Sequence, residues 1–268
     1  MIVNRHWAAL FGRGIVHSLD DFGVQGALPT HPELLDWLAT QFMDKGWSIK
    51  SLHRLLVTSE TYKQDARVRP EDREDLENRW LARGPRFRLE GEILRDALLH
   101  AAGLLERTMF GPPVRPPQPA GVTEVAYRQP KWHASKGKAR FRRSIYTFAK
   151  RTAPFAFYET FDAPSGEACE TMRDRSNTAL QALTMLNDPM VLEIARAFGA
   201  RIAEHADAQS DADRVRFAFE SLLSRTPSEA EERALSAFVE AERGRKTKDV
   251  WSALARALFA LDETMTRG

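Results

Sequence analysis

The stretch "FDAPSGEACETMRDRSNTALQALTMLNDP", residues 161–189, marks a change from irregular chain to regular helix. Its first half surrounds the single cysteine of the chain, Cys169, with carboxylates and guanidinium groups. Its second half places leucines at helical spacing and ends in Asp-Pro, a pair that suits the start of a further helix. The stretch therefore predicts a polar joint in front of a helical C-terminal part.

Downstream of this joint, the pattern predicts helices to the end of the chain. We expect Asn177 to cap the first of them, with three leucines facing inward: Leu180, Leu183 and Leu186. The next helix is predicted to begin at Asp188-Pro189. Three more are predicted from about Asp211 to Leu223, from a capping box at Ser228–Glu231, and from Asp249.

Upstream, helical periodicity recurs before residue 110. We expect a helix ending near Gly14, a second with a capping box from Thr30 to Glu33, a third capped by Ser48, and a long one after Arg88. Residues 142–150, "RRSIYTFAK", are the best strand candidate. The prediction is a mainly α, helical bundle-like fold with a long irregular middle segment and at most a short strand pair.

The whole chain, residues 1–268, is expected to form a single domain with three parts. These are an N-terminal helical part (1–110), an irregular basic and aromatic segment (111–176) and a C-terminal helical part (177–268). Five prolines in "FGPPVRPPQPAG" exclude helix from the start of the irregular segment.

Composition narrows the functional classes. With 43% hydrophobic and 28% charged residues, the chain has an ordinary globular profile, and no apolar run is long enough for a membrane span. The N-terminus lacks the pattern of a signal peptide. One cysteine excludes an internal disulfide, and seven scattered histidines show no metal-ligand spacing, so neither metal nor cofactor is predicted.

Positive charge is concentrated in one span, since no acid occurs from Val125 to Tyr158. Aromatic side chains interleave with its cations, an arrangement that suits an anionic or carbohydrate ligand. The candidate ligand-binding residues are Arg143, Arg151, Trp132 and Tyr146. A half-buried strand beside a solvated loop would give the same pattern, and nucleic acid is a further, weaker alternative because no nucleic-acid motif is present.

The charges around Cys169 allow two interpretations. As an active site, Asp162 and Glu167 would transfer protons while Arg173 and Arg175 bind an anion. As a joint, the same charges would pair and hold the irregular segment on the helices, which is the more frequent role of such clusters. The cysteine is expected to be a small structural residue, with a reactive thiol as the alternative.

Long stretches of the chain resemble a family, the planctomycete-type domain of unknown function 1553. The resemblance begins with "NRHWAALFGRGIVHSLDDFGVQGALPTHPELLDWLATQF" at residues 4–42 and continues through "RLEGEILRDALL", "RRSIYTFAKRTAP", "FDAPSGEAC" and "NTALQALTMLNDP". The chain departs from the family pattern in three places. Ala179 stands where proline is usual, Ser165-Gly166 where an arginine is frequent, and residues 258–264 lack an asparagine and a phenylalanine of the family's tail.

This resemblance implies a setting and leaves the chemistry open. Such domains form the C-terminal part of large exported proteins, after a partner domain and often a cytochrome-c-like module. The chain is accordingly expected to be a C-terminal fragment of a periplasmic or cell-surface protein. An accessory or ligand-binding role, with a link to polysaccharide, is the expectation. An enzyme with a carboxylate and arginine site in the 143–177 region is the alternative.

Overall fold

A computed structural model describes residues 1–122, 132–205 and 207–268. Within these residues the protein is mainly α, as predicted. Its strands, β1 (Phe87–Arg88) and β2 (Thr266–Arg267), form one two-stranded sheet. No helix in the described ranges has both the length and the apolar character that a membrane crossing requires.

Contacts divide the described chain into two compact units. Unit 1 comprises residues 1–87, 170–172 and 266–268, and unit 2 comprises residues 88–169 and 173–265. The three-part division of a single domain, drawn from the sequence, stays a prediction.

Unit 1 has four helices in its described residues: α1 (Ile2–Phe11), α2 (Pro32–Asp44), α3 (Ile49–Val57) and α4 (Glu60–Lys63). Its core joins the inward faces of α1, α2 and α3, with Trp7 stacked on Phe11 at a centroid distance of 4.0 Å. Ser48 caps α3 as predicted. The predicted capping box at Thr30 is wrong, because His31 is the N-cap of α2 and the Thr30 hydroxyl donates to the Ile15 carbonyl instead.

Unit 2 contains the remaining helices of the described chain. They are α5 (Gly91–Ala101), α6 (Ala156–Thr160), α7 (Ala179–Asn187), α8 (Pro189–Ala203), α9 (Asp211–Leu223), α10 (Glu229–Gly244), α11 (Val250–Phe259) and α12 (Asp262–Met265). The predicted starts at Asp188, Asp211, Ser228 and Asp249 are all confirmed by their caps.

Helices α8 and α11 form the centre of the unit 2 core. Phe198 and Phe259 stack with their rings 3° from parallel. The helices approach closely at Gly199, where an added Cβ would lie 2.5 Å from the Ser252 backbone nitrogen. Each fully buried leucine or phenylalanine here contributes about 1.5–3 kcal/mol to stability, so this helical pair supplies much of the unit's apolar stabilisation.

Helix α7 corrects two predictions. Its N-cap is Thr178, whose side chain accepts from the Gln181 amide, and not Asn177. The face turned to the core carries Gln181 and Met185, both fully buried, while Leu180 and Leu183 are 60% and 55% exposed. The prediction that Leu180 and Leu183 face inward is wrong. The buried side-chain amide of Gln181, described below, holds a different face of the helix toward the core.

The predicted strand at residues 142–150 is also wrong. Ser144–Tyr146 forms a short 3₁₀ turn, and only isolated parallel bridges flank it, Glu106 with Arg142 and Val114 with Thr147. Further 3₁₀ turns span Pro70–Glu74 and Gly137–Phe141. With so little regular pairing, the backbone polar groups of the irregular segment need partners from side chains.

Candidate functional site

Three buried arginines act as such side-chain partners, two of them for the irregular segment and one for non-helical chain in unit 1. In the described chain Arg83, Arg95 and Arg142 are each less than 10% exposed, and each donates to backbone carbonyls of irregular chain. In unit 1, Arg83 binds the carbonyl oxygens of Asp75 and Leu76. A planar guanidinium with five donors is well suited to binding several carbonyl oxygens at once.

Arg95 is the most buried of the three, at 1% exposure. Its guanidinium donates to the carbonyl oxygens of Arg142 at 2.9 Å and Arg140 at 2.8 Å, and to Ser144 Oγ at 3.2 Å. Its Nε lies 3.3 Å from Met190 Sδ on α8. Burial lowers the pKa of Arg95 from its ordinary value. One side chain on α5 thus joins the irregular segment to the unit 2 core.

Ser144 completes this buried network. Its amide and its hydroxyl both donate to Asp96 Oδ1, at 2.8 and 2.7 Å. The Tyr158 hydroxyl lies 2.9 Å from Thr147 Oγ1, and burial raises the pKa of Tyr158. The Ser144 hydroxyl is therefore both donor and acceptor in a shielded position, an arrangement that holds backbone in place and leaves no exposed nucleophile.

Arg142 organises the proline-rich part of the segment. It donates to the carbonyl oxygens of Pro112 at 2.8 Å and Thr108 at 3.2 Å, and to that of Phe110. Its guanidinium lies over the Tyr146 ring, 3.8 Å from the centroid. The Tyr146 hydroxyl accepts from the Phe110 amide at 2.7 Å. The candidate ligand-binding residue Tyr146 is thus engaged on its ring face and at its hydroxyl.

Trp132, the second aromatic candidate, is also engaged within the protein. Its ring stacks on Phe155 with 6° between the planes, and its Nε1 donates to the Pro116 carbonyl at 2.8 Å. Beside it, the Arg115 guanidinium lies 4.1 Å from the Phe148 ring centroid. These contacts give the aromatic residues of the basic span a packing role.

Six of the seven lysines and arginines in the described part of the span divide into two groups, and the seventh, Lys150, is half-buried. Arg140 and Arg142 face inward, Arg140 in an ion pair with Glu193. Four others are exposed: Lys136, Lys138, Arg143 and Arg151. The candidates Arg143 and Arg151 therefore lie on the surface, apart in role from Trp132 and Tyr146. Arg128 and Lys131, two further cations of the same span, lie outside the described residues.

Asp162 closes the loop that follows α6. It has a positive φ of 57°, and its carboxylate accepts from the Ser176 amide and hydroxyl at 2.8 Å. Gln181 reaches the same place from α7, since its Nε2 donates to the Thr160 carbonyl at 3.1 Å and to Ser176 Oγ at 3.2 Å. This candidate carboxylate thus joins the two ends of the 163–175 loop and fixes the orientation of α7.

The other charges of the loop have different environments. Arg173 makes a bidentate ion pair with Glu92, with its Nη1 2.8 Å from Oε2 and its Nη2 3.1 Å from Oε1. Arg175 lies within electrostatic range of Glu90 and Arg173. Glu167 and Cys169 are exposed. Asp162 and Arg173 thus make the kind of contacts that a structural joint between the loop and the helices would need. The Cys169 thiol, expected to belong to a small structural residue, lies at the surface.

The charge ladder on α5 shows why sequence reasoning missed Arg95. Glu90, Glu92, Arg95 and Asp96 fit a solvated helix face, yet Arg95 points into the core. The sequence did contain a signal for burial: Arg95 directly follows Leu94 and is three and four residues from Leu98 and Leu99, one helical turn away. These three leucines are all 0% exposed. Ile93, an apolar residue of the same helix, is 52% exposed.

In unit 1, the opening motif has a structural explanation. The fully buried Asn4 side chain accepts from the Val16 amide and donates to the Val16 carbonyl, both at 2.9 Å. Gly14 lies against this pair, where an added Cβ would come within 2.4 Å of the Val16 oxygen. Gly12 ends α1 with φ 80°, a conformation that favours glycine.

In the described ranges, no group of three or more histidine, cysteine or acidic side chains is arranged to hold a metal ion. Fold and contacts define a mainly α-helical protein whose irregular segment is secured from within by buried arginines. The profile of the family described as "Protein of unknown function (DUF1553)" matches residues 1–239, and the chain belongs to this family. No curated protein and no solved structure matches it.

Proposed function

We propose that the chain is an accessory, ligand-binding module of a larger extracytoplasmic protein, and that its ligand is an anionic polymer such as an acidic polysaccharide. The observation that carries the proposal is the outward group of cations, Lys136, Lys138, Arg143 and Arg151. They are exposed on a segment without a single acid from Val125 to Tyr158, whereas the rest of the chain has more acidic than basic residues.

The backbone that carries Arg143 is held in place by hydrogen bonds that are buried or partly buried. It is held on either side of Arg143, since Arg95 donates to the Arg142 carbonyl and the Ser144 amide donates to Asp96. A fixed array of exposed cations loses less conformational entropy on binding than a mobile one. Its affinity for a polyanion is electrostatic and therefore falls with salt.

Exposed tryptophans in unit 1 support the accessory role. Trp37, Trp47 and Trp80 are 50%, 61% and 65% exposed. Large exposed aromatic side chains on a soluble protein suit contact with a partner, and the family resemblance supplies one in the domain that precedes such modules. The same resemblance is the basis for the extracytoplasmic setting.

The test is binding to sulfated dextran in low salt, with neutral dextran as the uncharged comparison. We expect wild-type protein to bind only the sulfated polymer and to elute as salt is raised. Reversal of the four outward cations (K136E, K138E, R143E and R151E) should abolish retention.

The matched control reverses four exposed cations of unit 1: R5E, K45E, K50E and R54E. It changes net charge by the same amount and should retain most of the binding. Equal losses in the two variants, or no wild-type retention at low salt, would contradict the proposed site.

A further inference from the structure

Two histidines of unit 1 contact each other between helices. His53 Nε2 on α3 lies 2.9 Å from His6 Nδ1 on α1, and the rings meet edge to face at a centroid distance of 4.8 Å. Two imidazole nitrogens at this distance share one hydrogen, so that one nitrogen donates and the other accepts. The contact therefore holds only while one of the facing nitrogens lacks a proton.

The far side of the His6 ring makes a second proton unfavourable. His6 Nε2 is buried and has no hydrogen-bond partner. A protonated His6 would carry N–H groups on both nitrogens, one of them buried without an acceptor and the other turned toward His53. Burial, followed by the charge of His53, lowers the pKa of His6.

No carboxylate among the described residues contributes to the pKa shift of His6. One turn away on α1, the neighbours of His6 are Ile2, Val3, Ala9 and Leu10. The charged side chains of α1 to α4 are all exposed: Arg5, Glu33, Asp36, Asp44, Lys50, Arg54, Glu60 and Lys63. Also on or beside these helices are the exposed Met1 α-amino group and Lys45, and the half-buried Arg13, His31 and Tyr62. Among all these groups, His53 alone has a resolved electrostatic influence on His6.

We infer that His6 and His53 form an acid-sensitive clasp between α1 and α3. At neutral pH the shared hydrogen holds the two helices together. In acidic solution both rings become protonated, so each of the two facing nitrogens carries a hydrogen, the contact is lost, and α1 separates from α3. Because folded His6 binds protons less readily than the unfolded chain, this contribution to stability is complete above the ordinary histidine pKa of about 6.5 and is lost as pH falls below it.

Opening would expose the apolar face of α1. Val3, Trp7 and Phe11 are each less than 10% exposed in the closed form. Acid would thus convert a packed helix into an exposed apolar segment. Helices α8 and α11 in unit 2 would stay packed, because their contact consists of apolar side chains such as Phe198 and Phe259 and of the close backbone approach at Gly199.

Hydrogen exchange of the full chain at about pH 7.5 and about pH 5, corrected for intrinsic rates, tests the clasp. We expect the protection of α1 amides to fall by about tenfold at the lower pH, with α8 amides unchanged. His6→Gln keeps a hydrogen-bonding side chain and removes the titration, so it should abolish the response. His17→Gln, at an exposed position in unit 1, is the matched control and should retain it.

The inference is overturned if α1 protection does not depend on pH, or if His6→Gln responds as the wild type does. Should His6→Gln fail to fold, imidazole NMR of wild-type protein decides the matter. His6 must titrate below the ordinary value of about 6.5 and in step with the opening of α1. A normal titration would overturn the inference.

Discussion

The α8–α11 pair and the described parts of the irregular segment that precede α6 (residues 111–122 and 132–155) both belong to unit 2, and they are stabilised in different ways. The helical pair satisfies its own backbone and is joined by apolar contacts such as that between Phe198 and Phe259. The irregular segment has few regular backbone pairs and depends on Arg95 and Arg142, which bind its carbonyl oxygens. Apolar packing tolerates changes of shape, whereas a carbonyl that loses its only donor has no substitute in a buried site.

The largest effect that this comparison predicts is for Arg95→Met. The change leaves the carbonyls of residues 140 and 142 without a buried donor, so we expect a loss of about 3–5 kcal/mol in the free energy of unfolding. Urea unfolding followed by circular dichroism measures it. The control is Leu258→Met, also fully buried, which should cost less than about 1.5 kcal/mol. Equal losses would remove the distinction between the two regions.

Arg142→Met should have a smaller and more local effect. The oxygens that Arg142 binds belong to Thr108, Phe110 and Pro112, which are exposed residues, so water can replace part of what is lost. We expect a cost of about 1–2 kcal/mol and faster chymotryptic cleavage after Phe110.

The neighbouring exposed Arg143 provides the control for that variant. Arg143→Met should be cleaved at the wild-type rate. If both variants are cleaved alike, the guanidinium of Arg142 does not hold the proline-rich chain in place.

Within the helical part, local capping should matter less than buried contacts. Ser228 accepts from the Glu231 amide, and Glu231 accepts from the Ser228 amide in return. We expect Ser228→Ala to cost about 1 kcal/mol in thermal unfolding. Ser236→Ala, in the middle of α10, should change stability by no more than about 0.5 kcal/mol. A Ser228 effect as large as that of Arg95 would contradict the proposed ranking.

The smallest effect at neutral pH is expected for the ion pairs of Glu231, which are partly exposed. The side chain of Arg225 and the amide of Ser228 lower the pKa of Glu231 to about 2. Since the folded pKa is depressed, the contribution is present above the ordinary carboxyl pKa and is lost as pH falls toward 2. Glu231→Gln should therefore flatten the acid side of the stability profile, and an unchanged profile would exclude this contribution.

Local chemistry made much of the fold predictable. Asp188, Ser228 and Asp249 begin helices because a side-chain oxygen next to an apolar periodic run satisfies the first free amides, a relation contained within a few residues. The mainly α fold follows from such signals. Thr30 and Asn177 carry the same signal and were assigned wrongly. The Thr30 hydroxyl instead donates to the Ile15 carbonyl, and the Asn177 side chain accepts from Arg88; both partners are distant in sequence.

The candidate site was less accessible to sequence reasoning, for the same reason. Asp162 and Arg173 were recognised as unusual, but their partners Ser176 and Glu92 could not be assigned from the sequence. The charge ladder that contains Arg95 is typical of a solvated helix face, and helical spacing alone cannot show that Arg95 will bind carbonyls 45 and 47 residues away. Trp132 and Tyr146 were selected for their chemistry, and that chemistry is used within the protein.

The distance in sequence between Arg95 and its carbonyl partners also has a consequence for the order in which unit 2 folds. Its acceptors follow it by 45 and 47 residues, so α5 leaves the ribosome well before the carbonyls that will shield its charge. Until then the guanidinium stays hydrated and the adjacent leucines cannot close over it. We expect the docking of α5 to be a late kinetic step that follows formation of the C-terminal helices, because closing so long a loop is entropically slower than pairing adjacent helices.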